Sequence, residues 1–382
     1  MRKFLILFGS LVLLLVGAAI IHAQEATAVP DAGWPVEERC VSAPTKPPKG
    51  WSYDGTILMK GHAGIHGVNA KWDRPHVVVP LGIKDVQGGA LSPDGKWYAS
   101  PYGRTDRDPK TYDTITSTQE IRVYSTSSSE KYVINIPAAQ FSQGDYGQIH
   151  WRDNNHFAYR TSVEQTLLID PFTGKNEPIE ALNSLFGQWL VSIYSYLSYD
   201  WTRVVYRQHT PSDGDWHIID LRNGDEPKTL SLWYYSIVVW MPDSSHFVAE
   251  VDNPSNSDSW QKLVLFDQDG NFAETLFNTD KKYQIRDKAW SSDGRYLAFS
   301  EDTYVPTHVS DRKLYIADFK QHQIIEPCIK VGVGLAWSPD NSKIAFLNMG
   351  EGQQPVEIYV LEAEKVYRVA YHTGSVVGWR AD

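Results

Sequence analysis

The sequence is poor in cysteine, in methionine and in runs of basic residues. Its 382 residues include two cysteines and four methionines, and no cluster of lysine and arginine is longer than a pair. With a formal net charge of −10, the chain offers no basic footprint to neutralise the phosphates of a nucleic acid. The sequence therefore argues against a nucleic-acid partner.

Familiar catalytic motifs are also missing. There is no Gly-x-Ser-x-Gly nucleophile elbow, no His-Glu-x-x-His zinc motif and no glycine-rich phosphate loop. His62 and His66 are a weak candidate metal pair, because three glycines between positions 61 and 67 favour a loop after the second strand of the first repeat. Asp106, Asp108 and Asp113 lack the glycine and glutamate of an EF-type calcium loop. We expect no metal ion and no cofactor, and we assign no catalytic residue.

The N-terminal segment has the pattern of an export signal. Arg2 and Lys3 precede 18 uncharged residues, and Ile21-His22-Ala23 fits a cleavage site. The apolar run is also just long enough to span a bilayer, so residues 1–23 are either a signal peptide or an uncleaved anchor, the only expected contact with a membrane. In both cases residues 24–382 lie outside the cytoplasm, in a secreted, periplasmic or cell-surface protein.

Residues 24–50 contain five prolines and show no regular period, which predicts an extended linker. Cys40 lies in this segment and Cys328 lies far along the chain. In an oxidising compartment the two cysteines either form one disulfide or remain two separate thiols. A disulfide would tie the linker to the sixth repeat.

A five-residue motif recurs after residue 50, with Trp290-Ser-Ser-Asp-Gly294 and Trp337-Ser-Pro-Asp-Asn341 as clear copies. Its fourth place falls at positions 54, 94, 154, 200, 243, 293, 340 and 382. Repeats of this length are typical of propeller blades or solenoid units. The aspartate side chain can hydrogen-bond to the backbone of a tight turn, and glycine or asparagine supplies the positive φ that reverses the chain.

Each motif is followed by a short alternating run, then by a third strand and a returning fourth strand. In the first unit we place the last two at Val68–Trp72 and His76–Pro80. Four short antiparallel strands per unit, repeated radially, are the propeller architecture. The sequence therefore predicts an all-β fold over residues 51–382, a seven-bladed β-propeller of four-stranded antiparallel blades.

The ends of the repeat region indicate how the ring closes. Thr373–Trp379 resembles an innermost strand without partners, and the first unit has only the other three strands. We predict that the C-terminal strand completes the first blade and leaves no open edge. Trp51 duplicates the place that Trp379 would fill, so the alternative is a complete first blade that includes Trp51, with residues 373–382 packed against it.

The repeats resemble the WD-like propeller repeats of TolB-type periplasmic proteins and of the propeller domain of dipeptidyl peptidase IV-like proteins. The resemblance covers residues 51–382, and residues 289–299 and 336–346 are the clearest copies. It implies the propeller fold. It does not imply one function, because such propellers serve as binding platforms, as gates to peptidases and as enzymes.

The long loops of this fold share one face of the ring, and loops on a rigid scaffold carry most binding sites. Aromatic residues and arginine are enriched at interaction hot spots, whereas the repeat tryptophans are expected to pack in the core. The candidate ligand-binding residues on this face are Tyr102, Arg104, Arg107, His209, Trp260, Tyr304 and His308.

Two classes of function fit these features. The leading hypothesis is an exported, non-catalytic binding or scaffold protein for a protein, peptide or glycan of the cell envelope. The alternative is a propeller enzyme, a hydrolase or lyase that acts on a sugar or peptide with acids and histidines near the central channel. Two carboxylates, or a histidine with a carboxylate, converging at the channel mouth would favour the enzyme.

Overall fold

The computed structural model describes residues 32–382 except positions 62, 72–73, 82–88, 108–113, 142–148, 163–164, 189–190, 209–214, 224–225, 234–235, 253–260, 280–282, 304–311, 333 and 349–353. Only the backbone is described at 104–107, 114–119, 137–141, 162, 185–188, 191–195, 208, 252, 283 and 303. Within this part of the chain, no helix is long and apolar enough to cross a membrane.

The strands form seven sheets, each with four antiparallel strands placed side by side from the centre of the ring outward, and one sheet has a fifth, parallel strand at its outer edge. From the innermost strand outward, the blades are, for blade 1, Ser375–Arg380, Thr56–Gly61, Gly64–Val68 and His76–Pro80; for blade 2, Ala90–Leu91, Trp97–Arg107, Thr114–Ser125 and Lys131–Phe141; for blade 3, Ile149–Trp151, Phe157–Ser162, Gln165–Ile169 and Asn176–Pro178; for blade 4, Val191–Leu197, Arg203–Gln208, Trp216–Asp220 and Lys228–Leu230; for blade 5, Val239–Trp240, His246–Asp252, Gln261–Asp267 and Phe272–Asn278; for blade 6, Tyr283–Trp290, Tyr296–Thr303, Lys313–Asp318 and Gln323–Glu326; and for blade 7, Leu335–Trp337, Lys343–Leu347, Gln354–Val360 and Lys365–His372. The protein is a seven-bladed β-propeller.

The two ends of the repeat region close the ring, as predicted. Ser375–Arg380 pairs with Thr56–Gly61 in antiparallel register, with Trp379 opposite Ile57. The indole nitrogen of Trp379 also donates a hydrogen bond of 2.9 Å to the Asp54 carbonyl. Trp51 packs instead on Tyr367 of the outer strand of blade 7, with ring centroids 4.6 Å apart, so the alternative with Trp51 in the first blade is not observed.

The motif turns are built by one set of bonds, which the turn at Ser291 illustrates. The Ser291 hydroxyl donates to the Asp293 carboxylate at 2.6 Å, and the backbone N–H of Arg295 donates to the same carboxylate at 3.1 Å. Gly294 has φ +70°, a conformation that costs glycine little. The predicted roles of aspartate and glycine in the turn are confirmed here. The same serine–aspartate bond is found at Ser92, Ser198 and Ser338.

The motif tryptophans join neighbouring blades. In blades 3, 5, 6 and 7 the indole N–H donates to a carbonyl on the innermost strand of the preceding blade. These bonds are Trp151 to Ala90 at 3.1 Å, Trp240 to Tyr196 at 3.1 Å, Trp290 to Val239 at 3.3 Å and Trp337 to Ala289 at 2.9 Å. Both the apolar body and the polar tip of each ring are therefore used by the fold.

The hydrophobic core lies between the blades. Six apolar clusters each combine side chains from two adjacent blades, such as Val205 of blade 4 with Phe247 of blade 5. Between blades 3 and 4 the helix Glu180–Gln188 contributes Leu182, which packs on Val204 and Tyr206. This helix was not predicted from the sequence.

The N-terminal segment from residue 32 to residue 50, here called the strap, follows the outer edges of blades 5, 6 and 7. The Trp34 backbone N–H donates to the Leu276 carbonyl of blade 5 at 2.9 Å. Val36–Glu38 adds a fifth, parallel strand outside Gln323–Glu326 of blade 6. The Thr45 backbone N–H reaches the Val366 carbonyl of blade 7 at 3.2 Å. The strap thus covers strand edges that would otherwise be open.

Cys40 and Cys328 form a disulfide with their Cα atoms 4.8 Å apart. The strand register explains the pairing, because Glu38 lies beside Glu326 and each cysteine follows two residues later. The disulfide therefore fixes the strap to blade 6, 288 residues away in the sequence.

The third strand of blade 1 differs from the prediction. It is Gly64–Val68 rather than Val68–Trp72, and His66 lies on this strand rather than in a loop. Position 64 requires glycine, because its φ is +136° and a Cβ there would lie 2.0 Å from the Val79 carbonyl oxygen of the neighbouring strand His76–Pro80. The glycines that indicated a loop in fact permit a close hairpin.

The predicted loop of blade 2 is also shorter than expected. The second strand continues through Tyr102, Arg104 and Arg107, which pair with Glu120, Ser117 and Thr114 of the third strand. The β-branched residues at 114–118 favour extended backbone, so the hairpin carries on beyond the length of the other blades. Placing these three candidates in a loop was therefore wrong.

We expect deletion of residues 373–382 to destabilise the whole ring. It removes the innermost strand of blade 1, exposes the edge of Thr56–Gly61, and takes Val376 and Trp379 out of the core between blades 7 and 1. Thermal unfolding and size-exclusion chromatography should show a lower melting temperature and aggregation. Deletion of Ala381–Asp382 alone is the control, since it leaves the strand intact. A monomeric deletion variant that melts within a few degrees of the parent would contradict closure by this strand.

We expect the disulfide to contribute substantially to stability. On the chain-entropy estimate, closing a loop of this length stabilises the fold by roughly 5–6 kcal/mol, less any strain. The double variant Cys40→Ser, Cys328→Ser should therefore unfold at lower urea concentration than the oxidised protein. Equal thiol counts in the native protein and in the reduced, denatured protein would rule the bond out.

Candidate functional site

The ring has two faces. The turn face carries the motif turns, and the loop face carries the connections between second and third strands and between blades. Of the residues predicted to bind ligand on the loop face, His209, Trp260, Tyr304 and His308 lie outside the described residues, and Arg104 and Arg107 are described in their backbone alone. Their binding role stays a prediction.

Tyr102 is the predicted loop-face residue whose side chain is described. The Arg122 guanidinium lies 3.1 Å from the centroid of its ring, and Arg122 also pairs with Glu120 at 3.1 Å. Tyr102 is half-buried. Its described contacts are therefore packing within the extended hairpin of blade 2, which needs no ligand.

The central channel opens on the turn face in a depression of about 980 Å³, here called the channel mouth. Its wall is made by the ends of the innermost strands and by the motif turns. Tyr199 and Val377 are 42% and 37% exposed there. Prolines of the turns and Trp201 complete a rim that is largely apolar and aromatic: Pro93, Pro242, Pro339 and Trp201.

Many of the described polar groups of the channel mouth hold the ring together. Turns of adjacent blades are joined by three bonds of 3.0 Å, from the backbone N–H of Asp94 to Asn154, of Asp200 to Ser244, and of Ser292 to Asn341. The Asp94 carboxylate accepts bonds from Ser92 and from the Lys96 backbone. These bonds connect the turns of neighbouring blades and support the backbone of the turn within one blade.

A histidine and a carboxylate do meet at this mouth, within one turn. The Asp153 carboxylate lies 3.1 Å from Nδ1 of His156 and also accepts the backbone N–H groups of Asn155 and His156. These bonds hold the pKa of Asp153 below its usual value, against the opposing effect of burial. The pair repeats the turn-supporting role that serine and aspartate have in other blades.

Two further titratable groups, His150 and Lys288, line the channel wall. Burial lowers the pKa of His150 to about 4, so its ring is neutral at pH 7. Lys288 forms a buried ion pair with Glu250. Glu250 also accepts bonds from the Ser236 hydroxyl at 2.7 Å and the Ile237 backbone at 2.9 Å. The pair therefore fixes the connection between blades 4 and 5.

Carboxylates also converge toward the loop face of blade 6, where arginine neutralises them. Arg312 lies between Asp287 at 3.2 Å and Asp302 at 3.1 Å, and it donates to the Gly332 carbonyl at 3.2 Å. A register shift between Ile285 and Lys288 places Asp287 in a bulge of the innermost strand. The arrangement ties blade 6 to the start of blade 7.

A second depression, here called the rim cleft, lies where blade 7 meets blade 1. Its volume is about 940 Å³, and it is bounded by residues 44–47 of the strap, by residues 368–373 at the end of blade 7, and by Gly61, Ala63, His66, Arg74 and Pro75 of blade 1. It is the place where ring closure brings together the beginning and the end of the propeller sequence.

Two histidines meet in the rim cleft. The rings of His66 and His372 have centroids 4.6 Å apart. Burial, with a smaller contribution from His66, lowers the pKa of His372 to about 4, and burial also lowers the pKa of His66. From the sequence, His66 was considered as a partner of His62, and no local pattern indicated a contact with His372. The only signal was the predicted ring closure, which brings the end of blade 7 next to blade 1.

One group of three potential metal-ligating side chains is found in the part of the chain that the structure describes: Glu38, Cys40 and Cys328. The disulfide removes both thiolates from this group. It therefore gives no reason to assign a metal site.

Comparison with solved structures shows propellers with different activities. TolB from Acinetobacter baumannii is 12% identical over 92% of this chain and 98% of its own, with a TM-score of 0.42. An oligogalacturonate lyase in complex with manganese is 16% identical over 74% of this chain and 86% of its own, with a TM-score of 0.44. The dihydro-heme d1 dehydrogenase NirN is 12% identical over 89% of this chain and 77% of its own, with a TM-score of 0.49. Similarity at this level concerns the fold alone. No family model matches the sequence, and no curated protein matches it.

We expect stability to fall as the pH is lowered from about 6.5 to about 4. In this window the unfolded chain takes up a proton at His372, whose ordinary pKa is 6.5, whereas the folded protein holds it neutral down to about pH 4. The contribution is complete above pH 6.5 and is lost toward pH 4. His372→Gln should reduce the slope of the urea midpoint against pH, and His322→Asn, at an exposed histidine, should leave it unchanged. Equal slopes in the parent and the His372 variant would contradict this.

Proposed function

We propose that this protein is an exported, non-catalytic binding protein whose channel mouth receives a segment of a protein partner. The observation that carries the proposal is that many of the described polar groups of the mouth are engaged in turn and inter-blade bonds, while aromatic and apolar groups form its rim. Such a surface suits recognition better than reaction chemistry.

The rim also indicates the kind of partner. Tyr199 and Val377 remain exposed, and large apolar groups grouped around a depression mark interaction sites more often than isolated ones do. The charged side chains near them, including Lys96, Arg152 and Asp153, are of both signs. A polyanion would require a basic surface, so a polypeptide with apolar side chains fits this mouth better.

Two features support export. Arg2 and Lys3 precede an uncharged run with a fitting cleavage site. The Cys40–Cys328 disulfide is a kind of bond that persists in oxidising compartments and is rare in the cytosol. Both agree with a protein that works in the cell envelope or outside the cell.

The experiment uses two substitutions that the repeat itself supplies. Tyr199→Ser introduces the residue that blade 6 has at the same place, Ser292, and Trp201→Gly introduces the residue of blades 1, 2 and 6. Trp201 has φ +61°, so glycine should not reduce stability there. The protein is expressed with its leader and incubated with envelope extract, and the bound partner is identified by mass spectrometry. The purified partner is then titrated against each variant.

Each substitution should weaken binding by about 1 kcal/mol or more and leave thermal unfolding nearly unchanged. Val133→Thr is the control, because Val133 is exposed on the outer strand of blade 2, away from the mouth. Unchanged affinity in the Tyr199, Trp201 double variant would move the site away from the mouth. Retention of a glycan instead of a protein would overturn the assignment of the partner, and turnover of the bound molecule would overturn the non-catalytic assignment.

A further inference from the structure

We propose that the rim cleft is a second, independent site that binds a small molecule carrying a carboxylate, sulfate or phosphate group, recognised by Lys46, Arg74 and the His66–His372 pair. It lies at the seam between blades 7 and 1 and shares no residue with the channel mouth.

The charge of the described lining of the rim cleft is opposite in sign to that of the whole protein. The protein carries a formal net charge of −10, yet the described residues that line the rim cleft include Lys46, Arg74 and Arg368 and no aspartate or glutamate. Arg368 is balanced by the buried Glu357, which accepts bonds of 3.2 and 3.0 Å from its guanidinium. Among the described residues no ion pair is found for Lys46 or Arg74. A concave basic surface on an acidic protein concentrates anions.

His372, in the wall of the rim cleft, has an unsatisfied polar atom. His372 is only 6% exposed, and its Nδ1 is buried without a hydrogen-bond partner among the described residues. A buried polar atom without a partner is costly, and native structures rarely leave one. A bound anion that draws the ring of His372 toward the cleft and accepts a hydrogen bond from its Nδ1–H would recover part of that cost.

The alternative of a metal ion is disfavoured by the same surroundings. Two adjacent neutral imidazoles are suitable metal ligands. Here, however, they share the cleft with three cationic side chains and with no described carboxylate. A divalent cation would be repelled by these side chains and would lack the anionic ligands that usually complete a site.

The size and shape of the rim cleft suit a small molecule. A volume of about 940 Å³ falls within the range of small-molecule sites. Pro44 and Pro47 of the strap form one wall, and the ring of Tyr371, 51% exposed, flanks the opposite side. A Cβ at position 61 would lie 3.0 Å from Cε1 of His372, so glycine there allows the imidazole to lie close against blade 1. This combination fits an acidic sugar or a similar compact anion.

The disulfide holds one wall of the cleft in place. Cys40 precedes Pro44 by four positions, and the strap next contacts blade 7 at Thr45. Reduction of the bond should loosen this wall, and anion binding should weaken even if the ring itself remains folded. Reduction of the disulfide therefore tests the anion site independently of substitutions in the cleft itself.

The test is isothermal titration of the exported protein at pH 7 and low, constant ionic strength, with sulfate, glucuronate and, as a neutral control, glucose. Sulfate and glucuronate should bind at a ratio of about one per protein, and glucose should not. Arg74→Gln, Lys46→Gln and His66→Gln should each raise Kd about three- to tenfold. Lys175→Gln removes the same charge from an exposed site on blade 3 and should change nothing.

Further measurements distinguish an acidic sugar from other oxyanions and distinguish anion binding from the alternatives to it. A Kd for glucuronate at least tenfold below that for sulfate identifies an acidic sugar, whereas equal values identify a general oxyanion site. Lowering the pH from 7 toward 4, as far as the protein stays folded, should tighten sulfate binding, because sulfate stays ionised while His66 and His372, whose pKa values are both lowered by burial, gain protons only in the lower part of this range. The Tyr199→Ser, Trp201→Gly variant should keep full anion affinity. The proposed partner site at the channel mouth and the proposed anion site in the rim cleft can therefore be refuted separately. Absence of saturable anion binding, equal Kd values for the Arg74 and Lys175 variants, or preferential binding of Zn²⁺ would overturn the proposal.

Discussion

Main-chain pairing between the two ends of the propeller sequence is the constraint on which the structure depends. The innermost strand of blade 1, Ser375–Arg380, comes from the end of the chain and its other strands from the beginning. Until this pairing forms, Thr56–Gly61 has an open edge and the apolar cluster of blades 7 and 1 is incomplete. The cores between the remaining pairs of blades also depend on this pairing, because an unclosed ring leaves each of its two terminal blades with one face uncovered.

The repeat itself explains why many of the described polar side chains hold turns and neighbouring blades together. Four motif turns use a serine and an aspartate to bond their own backbone, and the motif tryptophans of blades 3, 5, 6 and 7 each reach a carbonyl of the preceding blade. These residues recur because the same turn and the same contact between blades are built several times around the ring. Functional residues are better sought where the repeat is broken, as at Tyr199 and Trp201 in the turn of blade 4 and at the seam where His66 meets His372.

The fold could be predicted because its signals are local and repeated. Turn residues at fixed places and alternating runs gave the blade number, and the unpaired last strand gave the closure. The failures share a cause as well. Gly61 and Gly64 indicated a loop because glycine favours both open turns and tight hairpins, and Val36–Glu38 could not be recognised as a strand since its partner lies in blade 6. The site residues were harder still, because the contact between His66 and His372 depends on closure and on packing that no local pattern records.

The position of the rim cleft connects binding to stability. Its walls come from the strap, from the end of blade 7 and from blade 1, three segments that are adjacent only in the closed ring. A ligand that contacts all three binds the folded state and has no comparable site in the unfolded chain, so it stabilises the fold by an amount that grows with its concentration relative to Kd. The disulfide acts in the same direction by holding the strap against blade 6 in the absence of ligand. The seam is therefore both the point where the ring is completed and the point where a bound anion would most directly reinforce it.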